Sequence, residues 1–480
     1  MVEEVTEEKT KEGPIGSKNM VGAEAEEVRK ETGKETGKEE NLFESKAVPA
    51  AYVTLALPVV LGMVVSLLYN MVDTYFIAKT GDTSLVAGVA LGAPVFTLMI
   101  ALGDIFGLGG SSVVSRLFGQ GREADAKRLS SFCFYTALGC GVLVAILLLA
   151  FRMPVLSLLG ATEETLPHAS AYYSWYVVGA PFSIVLFTPS NLLRTEGLAK
   201  ESMFGTILGS VVNIILDPIF IFTLGLGAAG AAIATVLGNL CADLFFLWVY
   251  LAKSKKLSVD IGLCRITMGE FVAMMTIGIP ASITNLMQSL GITLTNRFLL
   301  PYGTEKVAAM GIAMKVSMIA MLILVGFAFG GQPLFGYTYG AGQKKRLTKI
   351  LRFAYGTELA LALVLGTLLW FLAPSFLGFF MKEEGILTAG VPMLRLLQMG
   401  MPFTAITLIT TCVFQSTGKA LGAFLLSVSR QGVIYALVLF CFSRLLGYQG
   451  VIASQAGSDF LTALLALFLF TRMLWGEIRE

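Results

Sequence analysis

Long apolar stretches begin near residue 48 and recur almost to the end of the chain, each able to cross a lipid bilayer. A bilayer span takes about 20 mostly apolar residues. Lipid offers no water to a bare backbone N–H or C=O, so continuous apolar stretches of this length must be helices. The sequence predicts twelve spans. Six lie near residues 48–78, 86–115, 128–151, 168–190, 203–223 and 229–252; six more lie near 269–299, 306–335, 348–373, 389–412, 420–443 and 450–474. Only 14% of the chain is charged, against about 25% in soluble domains. The expected fold class is an all-α integral membrane protein. A net charge of +2 gives nucleic-acid binding no electrostatic support.

Residues 1–46 differ from the rest. They hold 13 Glu against 8 Lys and Arg, a net charge of −5, and include the tandem KETGKETGKE. Such a segment cannot bury enough apolar surface to fold, and it lacks the apolar core of a signal peptide. It is expected to be a disordered cytoplasmic tail.

Basic residues set the expected orientation. The second loop carries Arg116, Arg122, Lys127 and Arg128, the fourth Arg194 and Lys200, the sixth Lys253, Lys255, Lys256 and Arg265, and the eighth Lys344, Lys345, Arg346 and Lys349. The odd loops are poorer, with Lys79, Lys306 and Lys382. Even loops and both termini are therefore expected in the cytoplasm, with the chain in a cell's cytoplasmic membrane.

Two acids fall inside apolar stretches at matching depth: Asp73 in LLYNMVDTYFIA and Asp217 in VVNIILDPIFIF. A carboxylate in the bilayer core is costly, so it normally faces a protein cavity and has a function there. Two carboxyls at one site titrate as a coupled unit. Alternatively they can stay ionised and hold Na⁺, since hard cations prefer oxygen ligands. Either way, the pair is suited to ion-coupled transport.

The chain also repeats itself. ALPVVLGMVVSLLYN recurs in character as GIPASITNLMQSLGI, which sets Pro58 on Pro280, Gly81 on Gly303 and Gly109 on Gly331. GAPFSIVLFTPSNLLRTEGLAK matches GMPFTAITLITTCVFQSTGKAL, with Pro181 on Pro402. Six spans per copy leave both copies in the same orientation, as parallel repeats about an axis along the membrane normal. The expected architecture is two six-helix lobes, residues 47–257 and 258–480, around a central cleft.

The VDTYFIAKTG segment, the GLGGSSVVSRLFGQG and PSNLLRTEGLAK loops, NIILDP and the repeated GxPF openings together resemble the multidrug and toxic compound extrusion (MATE) family. The resemblance covers the chain after residue 46. It implies export of amphipathic, often cationic small molecules, driven by inward H⁺ or Na⁺. The chain is expected to act as a monomer without a cofactor, and its lone His argues against a membrane-embedded enzyme. It also implies a cation site in the first lobe, made by Asp73, Asn213, Asp217 and Thr235. Asn213 and Asp217 are four residues apart and share one helix face. Pro58 is the implied hinge of the first helix, and the fourth-helix tyrosine falls on Tyr173 or Tyr176. Asn70 and Gln288 are further polar candidates for the cavity. Gln288 stands where some members carry a seventh-helix acid, and ITLITTCVFQS in the tenth span has none. This departure favours the first-lobe site.

The other acids in or near spans, Asp104, Asp243, Glu358 and Asp459, are expected to form structural pairs, with Lys315, Arg297 and Arg430 as available partners, or to snorkel towards an interface. The six Cys show no metal-ligand or CxxC spacing. GLGGSS lacks the GK[ST] ending of a phosphate loop. The alternative function is a flippase for lipid-linked oligosaccharides, from the related wider superfamily.

Overall fold

The computed structural model describes residues 42–380 and 383–479. Most of the expected tail, and Lys382, lie outside them. The chain divides into two units, Met1–Ala47 and Val48–Glu480. Of the first unit, only a short helical turn at 42–43 and the residues after it are described.

In the second unit, every regular element among the described residues is a helix. Eleven are long and apolar enough to span a membrane, or twelve with one bent pair counted as a span. The first six are α1 (Val48–Lys79), α2 (Thr83–Gly119), α3 (Glu123–Ala150), the bent α4 (Leu166–Val178 and Ala180–Thr195), α5 (Ala199–Thr223) and α6 (Gly227–Ala252). The second six are α7 (Met268–Tyr302), α8 (Thr304–Gly340), α9 (Lys344–Phe371), α10 (Glu384–Thr417), α11 (Ala420–Leu446) and α12 (Tyr448–Arg479). These match the twelve predicted spans in order and approximate extent.

Departures from straight helices have causes in the sequence. The two parts of α4 meet at 58°. Pro181 follows the break and cannot donate to the carbonyl four residues back. Gly179 lets the bend press on α6: a Cβ there would lie 2.1 Å from Val236 Cγ2. In α5, Pro218 is followed by a π-helical turn, Ile219–Thr223. A proline that removes one rung of the helical ladder commonly produces such local rewinding.

Loops near 120–122, 196–198, 253–267 and 341–343 cluster the basic residues, and this side is called the basic end below. There the first six helices meet the last six backbone to backbone. A Cβ on Gly278 of α7 would lie 2.2 Å from the Ile105 carbonyl of α2. One on Gly330 of α8 would lie 2.3 Å from Ala56 Cα of α1, and one on Gly340 2.3 Å from the Arg116 carbonyl. Polar contacts reinforce this seam. Ser112 Oγ donates to the Gln415 carbonyl, and Tyr52 Oη donates to the Phe327 carbonyl at 3.2 Å. Toward the opposite end, no residue of α1 from Met63 through Phe76 is buried. The halves are thus tightly joined at the basic end and part toward the other.

Arg194 belongs to this interior rather than to a loop. It is buried, with Nε donating to the Ser190 carbonyl at 3.2 Å and Nη2 to Asn191 Oδ1. Counting it among the basic loop residues was therefore incorrect, because its helix runs one turn further than predicted.

Candidate cation site

The site is assembled by close packing of α5 on α6. Gly209 and Gly238 face each other, and a Cβ on Gly238 would lie 2.6 Å from the Gly209 carbonyl and 3.1 Å from Asn213 Cβ. Small residues at such a crossing let membrane helices approach closely. The approach carries Asn213 to Thr235. Asn213 Nδ2 donates to Thr235 Oγ1 at 3.2 Å, and Thr235 Oγ1 donates to the Ala231 carbonyl at 3.0 Å. With its amide hydrogen so engaged, Asn213 leaves its Oδ1 buried and unpartnered.

One turn along α5, Asp217 is fully buried and both carboxyl oxygens lack a partner. Asp73 approaches from α1, with its Oδ1 also buried and unpartnered. α1 packs on α5, which sets the two carboxyls close enough to interact electrostatically. Neither carboxylate can donate, so a bond between them requires one to carry a proton. Without a proton or a cation, two negative charges would face each other in a low-dielectric interior. The structure therefore brings Asn213 onto Thr235 and sets Asp217 one turn along the same helix, with Asp73 on the neighbouring α1. These are hard oxygen donors, which suit a proton or an alkali cation. Among the described residues no cluster of three or more His, Cys, Asp or Glu forms a metal site.

Tyrosines line the same space. Tyr69, one turn before Asp73 on α1, lies near Thr235. Tyr172 and Tyr176 stack with centroids 5.8 Å apart and rings 9° from parallel. Gly92 makes room for Tyr172, since a Cβ there would lie 2.5 Å from its ring. Of the two predicted fourth-helix tyrosines, Tyr176 sits in this cluster. Tyr173 instead donates to the Leu148 carbonyl on α3 at 2.9 Å. Ile77, Leu85, Ile221, Ala228 and Ala231 form a small buried apolar cluster, with Tyr172 packed against it.

The remaining predicted positions lie outside the cluster. Asn70 is exposed and donates to the Ser66 carbonyl one turn back at 2.7 Å. Gln288 is exposed on α7. Pro58 is buried within an unbroken α1. Sequence reasoning missed Tyr69 and Tyr172. Tyr69 was within reach, since it lies four residues before Asp73 on the same helix face.

The expected structural pairing holds for two of the four other acids. Asn285 Nδ2 donates to Asp104 Oδ2 at 2.9 Å. Arg430 Nε lies 3.3 Å from Asp459 Oδ1. Asp243 and Glu358 have both carboxyl oxygens buried without partners, contrary to expectation. Lys315 and Arg297, the available basic partners, are exposed.

Twelve helical spans around an intramembrane carboxyl pair define a multi-pass membrane protein of the transporter class. The family model MatE matches residues 58–219 and 280–468, two stretches that open on Pro58 and Pro280. This chain belongs to the MATE family of transporters. The multidrug export protein MepA of Staphylococcus saprophyticus is 30% identical over 427 residues, covering 89% of this chain and 94% of MepA. MepA of Staphylococcus aureus is 30% identical over 429 residues with the same coverage. Among solved structures, an outward-facing multidrug resistance MATE transporter of the MOP superfamily superposes with a TM-score of 0.86 at 26% identity. That match covers 92% of this chain and 99% of the other. A MOP superfamily transporter from Pyrococcus furiosus, whose reversed pocket polarity suggests a different function, matches with the same TM-score, identity and coverage.

Proposed function

We propose that this protein exports amphipathic, often cationic small molecules from the cell by alternating access, in exchange for inward H⁺ or Na⁺. The observation that carries the reading is the facing pair Asp73 and Asp217, buried with unpartnered oxygens beside Asn213 and Thr235. Such a pair holds a cation or a proton favourably and is left with an uncompensated charge when it holds neither. That difference is what couples ion binding to conformation.

In this reading the basic end faces the cytoplasm, and the closed seam there makes this the outward-open state. A cation entering from outside reaches Asp73 and Asp217 and removes their mutual repulsion. α1 then repacks around Pro58, the only helix-breaking residue within it. The first-lobe cavity narrows and the bound compound leaves. Either ion fits the donors: a proton would sit between the carboxyls, and Na⁺ would add Asn213 Oδ1 to its ligands. The export activity of the staphylococcal MepA relatives supports the substrate class.

The test is dye efflux from proteoliposomes with a pH or a Na⁺ gradient imposed separately. We expect one gradient to drive efflux in the wild type and Asp73→Asn to abolish it. Efflux that ignores both gradients would remove the antiport reading and return the flippase to consideration.

A further inference from the structure

Glu358 lies far from the carboxyl pair along the sequence and in the other half of the molecule. It sits on the interior stripe of α9, in line with Leu351, Ala354, Ala362 and Gly366, all buried. Glu358 itself is fully buried, and among the described residues neither carboxyl oxygen has a hydrogen-bond partner. An ionised carboxylate there would meet neither a donor nor a cation, a prohibitive cost in a low-dielectric interior. In this conformation Glu358 therefore holds its proton.

Its surroundings belong to the seam between the halves. α1, carrying Tyr52, and α10, carrying Cys412, both pack on α9. Tyr52 is fully buried, its hydroxyl committed to the Phe327 carbonyl and its ring edge-on to Phe353 of α9 at 5.5 Å. It fits because α8 carries Gly331, where a Cβ would lie 2.3 Å from Tyr52 Oη. On its own helix, Tyr355 is bound to Thr410 at 2.8 Å. The guanidinium of Arg194 is held by the Ser190 carbonyl and Asn191. α8 and the last stretch of α12, Gly476–Arg479, also pack on α9, and among the described residues neither brings a charge to Glu358. Part of the packing on α9 beside this acid thus comes across the seam, from α1, the helix that must withdraw if the basic end is to open.

We propose that Glu358 is a proton-binding site that is sealed when the basic end is closed and discharged when it opens. The proposal rests on the alternating-access reading above. On opening, α1 draws Tyr52 away and water reaches the carboxyl. The O–H bond breaks, the proton passes to water on the basic side, and the carboxylate stays on the protein in solvent. Closing reverses the step and takes up one proton from that side. The closed form therefore binds one proton more than the open form. Raising the pH on the basic side favours opening, by up to about tenfold per pH unit in the open-to-closed ratio, and acid favours closure.

Hydrogen–deuterium exchange on protein in nanodiscs tests this without requiring transport. The segments to follow are residues 48–60 of α1 and 326–340 of α8, with rates corrected for intrinsic exchange at each pH. In the wild type, protection should fall as pH rises. Glu358→Gln, neutral at every pH, should keep the seam protected throughout, and Glu358→Asp should restore the response. If Glu358→Gln fails to fold, Glu358→Met gives the same readout. A wild-type profile flat with pH, or a neutral variant that follows the wild-type profile, overturns the proposal. Loss of gradient-driven efflux would count against the antiport reading alone, because exchange at the seam is read independently of it.

Discussion

Asp217 in the first half and Asp459 in the second are both buried on the interior face of a membrane helix, at 0% and 4% exposure. Their surroundings differ. Asp459 accepts from Arg430 at 3.3 Å and from Gln455 at 3.2 Å, and Arg430 reaches on to Thr404 at 3.4 Å. Among the described residues Asp217 has no hydrogen-bond partner, and a second acid, Asp73, lies near it. The repeat sharpens the contrast, because Thr404 aligns with Ser183, which accepts instead from the neutral amide of Asn239 at 3.0 Å. One scaffold position thus serves a guanidinium in one half and an amide in the other. The acid with a built-in counter-charge is fixed in place. The acids without one must take a proton or an ion from elsewhere, which is the property a coupling site needs.

Three substitutions probe the contrast. The largest effect is expected from Asp217→Asn, which should abolish gradient-driven dye efflux while leaving the melting temperature unchanged or raised, since an unpaired buried acid is removed. A melt that collapses would instead make Asp217 structural. Arg430→Met should do the reverse. Stranding Asp459 without its partner should cost about 3–5 kcal/mol of stability in a denaturation assay, and much of that should return in the Arg430→Met, Asp459→Leu double variant. If the single variant melts like wild type, the second-half pair is not the fixed element described. Gly238→Ala should come last. Its methyl would meet the Gly209 carbonyl and Asn213, prying α5 from α6 at a cost of about 1–3 kcal/mol. Efflux should fall several-fold, and unchanged efflux would show that the Asn213–Thr235 contact is dispensable.

The spans were legible because the bilayer imposes one length and one kind of secondary structure on apolar sequence. Asp73 and Asp217 were legible for the same reason, since a carboxylate stands out against a lipid-compatible background. Asn213 and Thr235 came from the family resemblance, and the structure brings them to 3.2 Å. Tyr69 and Tyr172 were hidden because tyrosine is ordinary in a membrane helix, and only the glycine at position 92 makes room for the second. Arg194 was misplaced because charge alone does not reveal where a helix ends. The absence of partners for Glu358 and Asp243 could not be read at all, since pairing depends on which helices are neighbours.

The seam at the basic end also bears on how this chain tolerates change. Most protein cores are defended in depth, with many side chains able to shift when one grows. Between α1 and α8, and between α2 and α7, bare backbones touch, and there is no side chain to yield. A single added carbon at Gly278, Gly330 or Gly340 would act as a wedge on one side only of a two-sided machine. Along that line the smallest substitution in the amino-acid alphabet becomes a vote between conformations, cast by inheritance rather than by any ligand.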